Sequence, residues 1–505
     1  MELLLRSFIE ILTPGNLLLV FAGTVMGIVF GAIPGLTAGM AIALCLPFTL
    51  LIDFIPSFAL LLALYIGGIS GGLISAILIN IPGTPASVAT CFDGFPMAEK
   101  GEAGKALATG VVFSFIGTMF GIMVLVFLAP PLGRIALKFS VFEYFSVAVF
   151  SLTLVSVLCG DSMLRGLIAC LIGIFLNCVG AAPIDGFARF TFGMHELDAG
   201  FAQVPSLVGL FALTEIIRAG KQGDKLRIES RNTRIKGIGF TLREFWNQIP
   251  NMFRSAAIGT GIGILPGIGA ATCNILAYGV AKQMSSHPEK YGTGIMDGVV
   301  ASEAANNASI GGAMVPLVTL GIPGDAVTAI LLGAFTIQGL QPGPMFMASN
   351  VNLLYSIFAV MLLASCVTFI IQFFGLRVFI NLLKIPKGVL LPMVMVMCLI
   401  GSFGVNHRMF DMWTLLLFGS VGFIFTKLDF PLTPIVMGYV LGPLVELNLR
   451  RGLMLSRGSF MPFLIRPISL GFLAVAVIVV LFALINNLIA LNRKVTDGRG
   501  FGQAS

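Results

Sequence analysis

The sequence predicts an all-α polytopic membrane protein with about 12 transmembrane helices, two repeats and broken or re-entrant helices in each repeat. Three observations lead to this fold class: an apolar composition, long runs without charge, and a proline–glycine pattern that occurs twice. Of the 505 residues, 57% are hydrophobic and 10% are charged, whereas soluble proteins carry about 25% charged residues. Because so few charges cannot cover a water-soluble surface of this size, we exclude a large soluble core.

The uncharged runs give the number of spans. Runs without Asp, Glu, Lys or Arg extend over Asn16 to Ile52, Phe54 to Phe92, Ala106 to Gly133, Ser255 to Ala281 and Ala326 to Leu376. About 20 apolar residues cross the hydrocarbon core as a helix. The longer runs therefore hold more than one crossing or a broken crossing, and a hydropathy window predicts roughly a dozen spans in the lipid bilayer.

The net charge of +7 comes from segments between the spans. Residues 220–254 hold eight of the basic residues: Lys221, Lys225, Arg227, Arg231, Arg234, Lys236, Arg243 and Arg254. Basic connecting segments face the cytoplasm in membrane proteins, and the tail at 493–505 is also basic. No basic patch is interleaved with aromatic residues, so nucleic acid is not expected as a partner.

Cysteine and histidine do not point to a metal centre. None of the eight cysteines forms a C-x-x-C pair, and only three histidines are present. Cysteines within apolar runs are expected to act as small packing residues. We therefore predict no cofactor and no metal other than a coupling sodium ion. The N-terminus lacks the pattern of a cleavable signal, so its first apolar stretch is expected to stay as a span.

Three pieces of the first half recur in the same order in the second half, offset by 232 to 241 residues. The matched pieces are Gly31–Gly39 with Gly263–Ala271, Ile69–Leu73 with Ser309–Ala313, and Ile81–Ala86 with Ile322–Ala326. Asp93–Met97 and Gln341–Met345 form a weaker pair. This pattern predicts a duplication. We expect inverted repeats, although inversion requires an odd number of spans per repeat and the sequence leaves that number open.

The matched pieces divide the chain into five parts. We predict a first transmembrane repeat at 1–219, a basic cytoplasmic loop at 220–254 and a second repeat core at 255–380. Additional scaffold helices at 381–492 and a polar tail at 493–505 complete the chain.

Each repeat contains two Pro-Gly pairs, and these predict a binding site. Proline removes a helix donor, and glycine allows dihedral angles that other residues avoid. In a membrane such breaks persist only where they face protein or a watery cavity. Paired breaks in two halves are typical of transporter binding sites, where half-helix N-termini favour an anion. The alternative for a single Pro-Gly pair is a simple kink, and the nearby glycines also suit close helix packing.

The sequence Ser302-Glu303-Ala304-Ala305-Asn306-Asn307 enters an apolar stretch. On a helix Glu303 and Asn307 share a face, with Asn306 beside them. An ionisable group at membrane depth predicts a functional site, and oxygen-rich side chains suit sodium. The alternative is that Glu303 caps a helix start at the membrane interface.

Two further polar residues flank the later breaks. Asn80 precedes Pro82-Gly83, and Asp325 follows Gly324. Asp325 is expected either at a cation site or as an ordinary helix cap. Neutral hydrogen-bonding groups near the breaks are Thr37, Thr84, Thr272, Asn274 and Thr328.

Enzyme motifs are incomplete. Gly68-Ile69-Ser70-Gly71-Gly72 matches G-x-S-x-G, as in intramembrane serine proteases, but such a serine needs a base within hydrogen-bond reach. His195, His287 and His407 lie in or beside polar segments instead. No phosphate-binding G-x-x-x-x-G-K-[ST] sequence occurs. We therefore predict that the chain is not an enzyme and keep an intramembrane protease as a remote alternative.

The quoted segments closely resemble the TctA-type large subunit of tripartite tricarboxylate transporters. The resemblance rests on 31–39, 263–271, 303–308 and 320–324, with 93–98 and 449–451 similar as well, and it covers nearly the whole chain. Glu303-Ala304-Ala305-Asn306-Asn307 is its most specific part. Ser302 departs from the family pattern, in which proline is expected at this position.

This resemblance implies a multi-pass subunit of the bacterial inner membrane that works with a periplasmic solute-binding protein and a small four-span membrane subunit. It also implies carboxylate import coupled to sodium or protons, and an elevator-type mechanism. A homodimer of the membrane complex is left open, as is a stand-alone secondary anion transporter or channel.

We expect the four breaks to converge on the carboxylate near the bilayer midplane. The expected substrate contacts are Gly35, Thr37, Gly83, Thr84, Gly267, Gly269 and Gly324, and the expected coupling-ion contacts are Glu303, Asn306, Asn307 and Asp325.

Overall fold

A computed structural model describes residues 2–158, 162–222, 239–382 and 387–496. Within these ranges the chain is helical apart from short loops and one small antiparallel strand pair, β1 (Gly180–Ala181) and β2 (Ala188–Arg189). This arrangement confirms the predicted all-α class.

The helices of the first half run in order up to residue 222. They are α1 (Glu2–Ile11), α2 (Pro14–Ala32), α3 (Ala38–Cys45), α4 (Phe54–Ile79), α5 (Val88–Glu99), α6 (Ala103–Ala136), α7 (Val141–Leu158), α8 (Met163–Asn177), α9 (Gln203–Val208) and α10 (Thr214–Gln222). A π-helical turn at Gly209–Leu213 joins α9 to α10, and a 3₁₀ turn at Pro85–Ser87 precedes α5.

The second half contains the remaining eleven helices of the described residues. They are α11 (Leu242–Ile264), α12 (Gly269–Gln283), α13 (Met296–Leu320), α14 (Ala326–Ile337), α15 (Pro344–Ser349), α16 (Val351–Leu382), α17 (Lys387–Asn406), α18 (Met409–Lys427), α19 (Leu432–Leu455), α20 (Met461–Ile465) and α21 (Pro467–Thr496).

Seven helices of the described residues are long and apolar enough to cross a membrane. They are α2, α4, α6, α18, α19 and the segments Val351–Leu376 of α16 and Pro467–Ile485 of α21. Helix α13 has 25 residues, enough to span a bilayer, but its polar side chains lower its hydropathy. A membrane protein is therefore supported, and the number of about 12 spans stays a prediction.

Helices end at all four Pro-Gly pairs. Helix α2 stops at Ala32 and α3 begins at Ala38, while α11 stops at Ile264 and α12 begins at Gly269. At both of these breaks the glycine after the proline has a positive φ, 92° at Gly35 and 77° at Gly267, which only glycine adopts freely. The second pair of breaks separates α4 from α5 and α13 from α14.

Helical structure extends into the predicted connecting segment 220–254. Helix α11 begins at Leu242 rather than after 254, because Thr241 and Glu244 form a capping box at its start. In its first turn, Arg243 is exposed and Glu244 pairs with Lys105 of α6. Lys225, Arg227, Arg231, Arg234 and Lys236 lie outside the described residues, as do Cys159 and the tail from 497.

Glycines allow the central helices to approach closely. A Cβ atom on Gly31 of α2 would lie 2.2 Å from the Gly68 carbonyl of α4, and one on Gly121 of α6 would lie 2.2 Å from the Ala308 carbonyl of α13. Small residues at such crossings let membrane helices pack backbone against backbone. Helices α4 and α13 are buried over most of their lengths and form the centre of the bundle.

Candidate functional site

The two breaks of the first half lie against each other. The Gly83 amide donates to the Gly72 carbonyl of α4 at 3.4 Å. A Cβ atom on Gly83 would lie 2.0 Å from the carbonyl of Gly31, at the end of α2. The backbone before Pro34-Gly35 therefore contacts the backbone of Pro82-Gly83.

The two breaks of the second half meet in a corresponding way. The Gly267 amide donates to the Gly324 carbonyl at 2.7 Å. A Cβ atom on Gly269 would lie 3.0 Å from the Asp325 Cβ. Within each half, the structure thus brings together the glycines that the sequence singled out.

The two halves contact each other through helices that follow the breaks. Gly39 of α3 lies beside the Ile330 side chain of α14. The Ala86 carbonyl in the 3₁₀ turn accepts from Asn306 Nδ2 of α13 at 2.8 Å and also from Asn274 Nδ2 of α12. The pieces after the first and second breaks therefore pack on the other half of the chain.

Helices α4 and α13 cross in opposite directions. Ser70 Oγ of α4 donates to Asn307 Oδ1 of α13 at 2.6 Å. Five residues earlier on α4, the Tyr65 hydroxyl donates to Asp325, whose neighbour Gly324 lies beside Ala313 of α13. The two helices therefore run antiparallel to each other.

Glu303 lies at the interface of α13 with α5 and α6, and its side chain is fully buried. Its Oε1 accepts from Thr90 Oγ1 at 2.5 Å, and its Oε2 accepts from Ser114 Oγ at 2.8 Å and Asn307 Nδ2 at 3.3 Å. Because α13 begins at Met296, Glu303 lies well inside the helix, and the alternative that it caps a helix start is wrong.

Ser302, the departure from the family pattern, lies in the same helix interior. Its hydroxyl donates to the Val299 carbonyl at 3.1 Å and lies 3.1 Å from Thr90 Oγ1. Serine here therefore extends the polar surroundings of Glu303 and does not start a helix.

Asp325 occupies a different place from Glu303. It caps α14, with Oδ1 accepting from the Thr328 amide and hydroxyl, both at 2.7 Å. Its Oδ2 accepts from the Tyr65 hydroxyl at 2.5 Å. The expected capping role is present, and the four predicted ion residues divide into one group around Glu303, Asn306 and Asn307 and a separate position at Asp325.

The two predicted threonines also differ in their contacts. Thr37 Oγ1 caps α3 by accepting from the Met40 amide at 3.1 Å. Thr84 is buried, and its Oγ1 has no hydrogen-bond partner among the described residues.

Three residues of these groups were missed by the sequence reasoning: Tyr65, Thr90 and Ser114. Each lies in or at the edge of an apolar run, where a single hydroxyl is a weak signal. Their importance follows from their partners, which are 189 to 260 residues away in the chain.

The serine of the protease-like motif has no catalytic surroundings. Ser70 is buried and donates to an asparagine oxygen. His195 and His287 are mostly exposed and pair with nearby acids at the surface. In the part of the chain that the structure describes, a base does not contact Ser70.

Comparison with known proteins agrees with the resemblance in the sequence. The family model described as "Tripartite tricarboxylate transporter TctA family" matches residues 17–437. An Agrobacterium vitis protein described as "Uncharacterized 52.8 kDa protein in TAR-I ttuC' 3'region" is 35% identical over 489 residues, covering 97% of both chains. A second Agrobacterium vitis protein, "Uncharacterized protein in TAR-II ttuC' 3'region", is 34% identical over 227 residues, covering 45% of this chain and 94% of its own.

No solved structure matches the chain significantly. The matched family consists of transport proteins, so the prediction that the chain is not an enzyme is confirmed. The family model spans most of the chain, and its match contains all four breaks and the Glu303 group. The chain belongs to the tripartite tricarboxylate transporter TctA family.

Proposed function

We propose that this chain is the large transmembrane subunit of a binding-protein-dependent secondary transporter that imports carboxylates across the bacterial inner membrane. The observation that carries the proposal is the family match over residues 17–437, which contains all four broken helices. A periplasmic solute-binding protein delivers the substrate, and a small four-span membrane subunit completes the complex. Two copies of the membrane complex can associate as a homodimer.

The substrate binds at the broken helices. Helices α3, α12 and α14 each begin within three residues after a break, so the positive ends of their dipoles favour an anion there. The contacts that we assign to the carboxylate are those of Gly35, Thr37, Gly83, Thr84, Gly267, Gly269 and Gly324. The close contacts between breaks within each half support this assignment.

Entry of sodium or protons drives uptake, through Glu303, Asn306, Asn307 and Asp325. Each net positive charge that enters contributes about 2.3 kcal/mol per 100 mV of membrane potential. The burial of Glu303 and Asp325 among neutral groups supports this role, because an ionised carboxylate inside a membrane protein is costly without a nearby positive charge.

The two halves act as inverted repeats in an elevator-type movement. The antiparallel crossing of α4 and α13 supports inversion. Two sets of matching contacts between the halves also support inversion. Helix α6 packs on α13, and α16 packs on α4 in the same way. Helix α3 packs on α14, and α12 packs on the 3₁₀ turn before α5. Helices α17 to α21 serve as scaffold.

The test is uptake in proteoliposomes that contain the chain, its small membrane subunit and its binding protein. Radiolabelled citrate, succinate and an aromatic acid are offered under imposed sodium or pH gradients. We expect concentrative uptake of at least one acid that requires both partners. Full uptake by the large chain alone would favour the stand-alone transporter or channel.

A further inference from the structure

Five carboxylates are buried in the described residues: Asp93, Glu143, Glu303, Asp325 and Asp411. Three of them have strong compensation. Glu143 pairs with Arg466 Nε at 2.5 Å, and Asp411 pairs with Arg408 Nη2 at 2.8 Å.

The third compensated group is Asp93 of α5. Its Oδ1 accepts three backbone amides before α13, those of Gly292, Gly294 and Ile295, at 2.8 to 3.1 Å. Its Oδ2 accepts from the Tyr278 hydroxyl at 2.9 Å. Several amides at a helix start stabilise an ionised carboxylate.

Among the described residues, Glu303 and Asp325 have neither a cationic partner nor several backbone amides. Within the described ranges, the partners of Glu303 are two hydroxyls and one side-chain amide, without a backbone N–H or a cationic side chain. Asp325 accepts one backbone N–H and the hydroxyls of Thr328 and Tyr65. A buried carboxylate without a cationic partner or several backbone N–H donors carries a desolvation cost unless a cation accompanies it.

These two carboxylates are too far apart to share one ion. A Cβ atom on Gly324, directly before Asp325, would lie 2.5 Å from the Ala313 Cα. Ten residues of α13 separate Ala313 from Glu303, a rise of about 15 Å. Glu303 moreover faces α5 and α6, whereas Asp325 faces Tyr65 of α4.

Unpartnered oxygens lie beside the break nearest to Glu303. Thr84 Oγ1 and Asn274 Oδ1 are buried and have no hydrogen-bond partner among the described residues. Both residues flank the 3₁₀ turn whose Ala86 carbonyl binds Asn306, a neighbour of Glu303 on α13. Neutral and anionic oxygens of this kind are the ligands that hard cations prefer.

The sequence match relates the two positions. Thr84 and Ser87 in the first half correspond to Asp325 and Thr328 in the second half. The Thr84 amide donates to Ser87 Oγ at 3.4 Å, as the Asp325 amide donates to Thr328 Oγ1 at 2.8 Å. The second break of each half therefore lies beside one of these two carboxylates. Asp325 directly follows the break in the second half. Glu303 is linked to the break in the first half through Asn306 and the 3₁₀ turn.

We propose that the chain binds two sodium ions at separate sites, one beside Glu303 and one beside Asp325. This inference rests on the proposed cation-coupled transport and sets its stoichiometry at two co-ions per transport cycle. Two entering positive charges offset the two charges of a dicarboxylate, and a third charge on a tricarboxylate is left uncompensated.

The test is equilibrium binding of ²²Na⁺ to the full membrane complex in nanodiscs, without substrate. We expect two ions per large chain in the wild type and one in each of Glu303→Gln and Asp325→Asn. The matched control is Asp297→Asn, in the first turn of the same helix as Glu303, which should keep two ions. Because the carboxylate substrate is left out, the number of bound ions does not depend on whether uptake or its requirement for partner proteins has been demonstrated.

If the carboxylate variants do not fold, two milder variants provide a second test. Thr90→Val and Tyr65→Phe each remove one hydroxyl and keep both carboxylates. Each should weaken one of the two sodium affinities about tenfold and leave the other unchanged, because only one carboxylate loses a donor that holds it in place. A wild-type count other than two, a carboxylate variant that keeps both ions or loses both, or equal weakening of both affinities by Thr90→Val would overturn the proposal.

Discussion

The Tyr65 hydroxyl donates a 2.5 Å hydrogen bond to Asp325 Oδ2 across 260 residues of sequence. Tyr65 lies in the middle of α4, and Asp325 caps α14 after the break of α13. This one bond joins the central helix of the first half to the broken segment of the second half. Both side chains are buried, so neither group exchanges this partner for water.

Tyr65→Phe should lower the stability of the chain. The phenylalanine keeps the ring but leaves one carboxylate oxygen of Asp325 without its donor, at a cost of about 1.5–3 kcal/mol. The measurement is the thermal unfolding midpoint of the purified complex. Tyr355→Phe is the control, because Tyr355 has no side-chain hydrogen bond among the described residues. Equal midpoints for the two variants would show that the Tyr65 bond contributes nothing measurable.

Glu303→Gln should abolish or flatten the dependence of carboxylate uptake on the driving ion. Glutamine keeps the shape of the side chain and can still accept from Thr90 or Ser114, but it removes the charge. We expect the initial rate at saturating substrate to fall by about tenfold or more, as for a lost interaction with a charged group. Uptake rates are measured over a range of sodium concentrations and pH, with Asp297→Asn as control. An unchanged ion dependence would remove Glu303 from the coupling role.

Gly263→Ala should destabilise the contact of α11 with α13. The added Cβ would lie 2.6 Å from the Ser309 carbonyl, so the helices must separate. Overpacking of this kind costs about 1–3 kcal/mol. Gly261→Ala on the same helix is the matched control, because a Cβ there has no neighbour within 4 Å. Thermal unfolding of both variants provides the comparison, and the idea fails if Gly261→Ala is the more harmful change.

The loop between α8 and α9 should keep its attachment to α19 from pH 8 down to about 5. Arg450 Nη2 donates to Asp185 Oδ2 at 2.5 Å, and this hydrogen bond lowers the pKa of Asp185 below its ordinary value. A lowered folded-state pKa means that the stabilisation is present above the unfolded value, about 3.9, and is lost as the pH falls through the folded value.

Hydrogen exchange of the β1–β2 hairpin measures this attachment, with rates corrected for the intrinsic effect of pH. Protection should be equal at pH 8 and pH 5.5, and Arg450→Gln should reduce it at both values. Arg451→Gln is the control, since Arg451 is exposed and has no ion pair among the described residues. Loss of hairpin protection between pH 8 and pH 5.5 would contradict the assignment to Asp185.

Local sequence features determined much of the architecture. Uncharged runs predicted the apolar helices, and each Pro-Gly pair predicted a helix end that the structure contains, because proline and glycine act on the backbone of their own segment. The spacing of Glu303 and Asn307 placed both on one face of a helix, as observed in α13.

Only the tertiary structure decided what those segments face. Thr90 and Ser114 contact Glu303 because α5 and α6 pack on α13, and the pattern within a single helix does not specify its neighbours. Likewise, Asp325 was grouped with Glu303 from sequence but is separated from it by the fold of α13 and the chain after Gly324. Hydropathy and backbone preferences act over a few residues, so the sequence alone determined where the helices form and break. The crossings of those helices depend on contacts between distant residues, and these crossings decided which buried charges have partners.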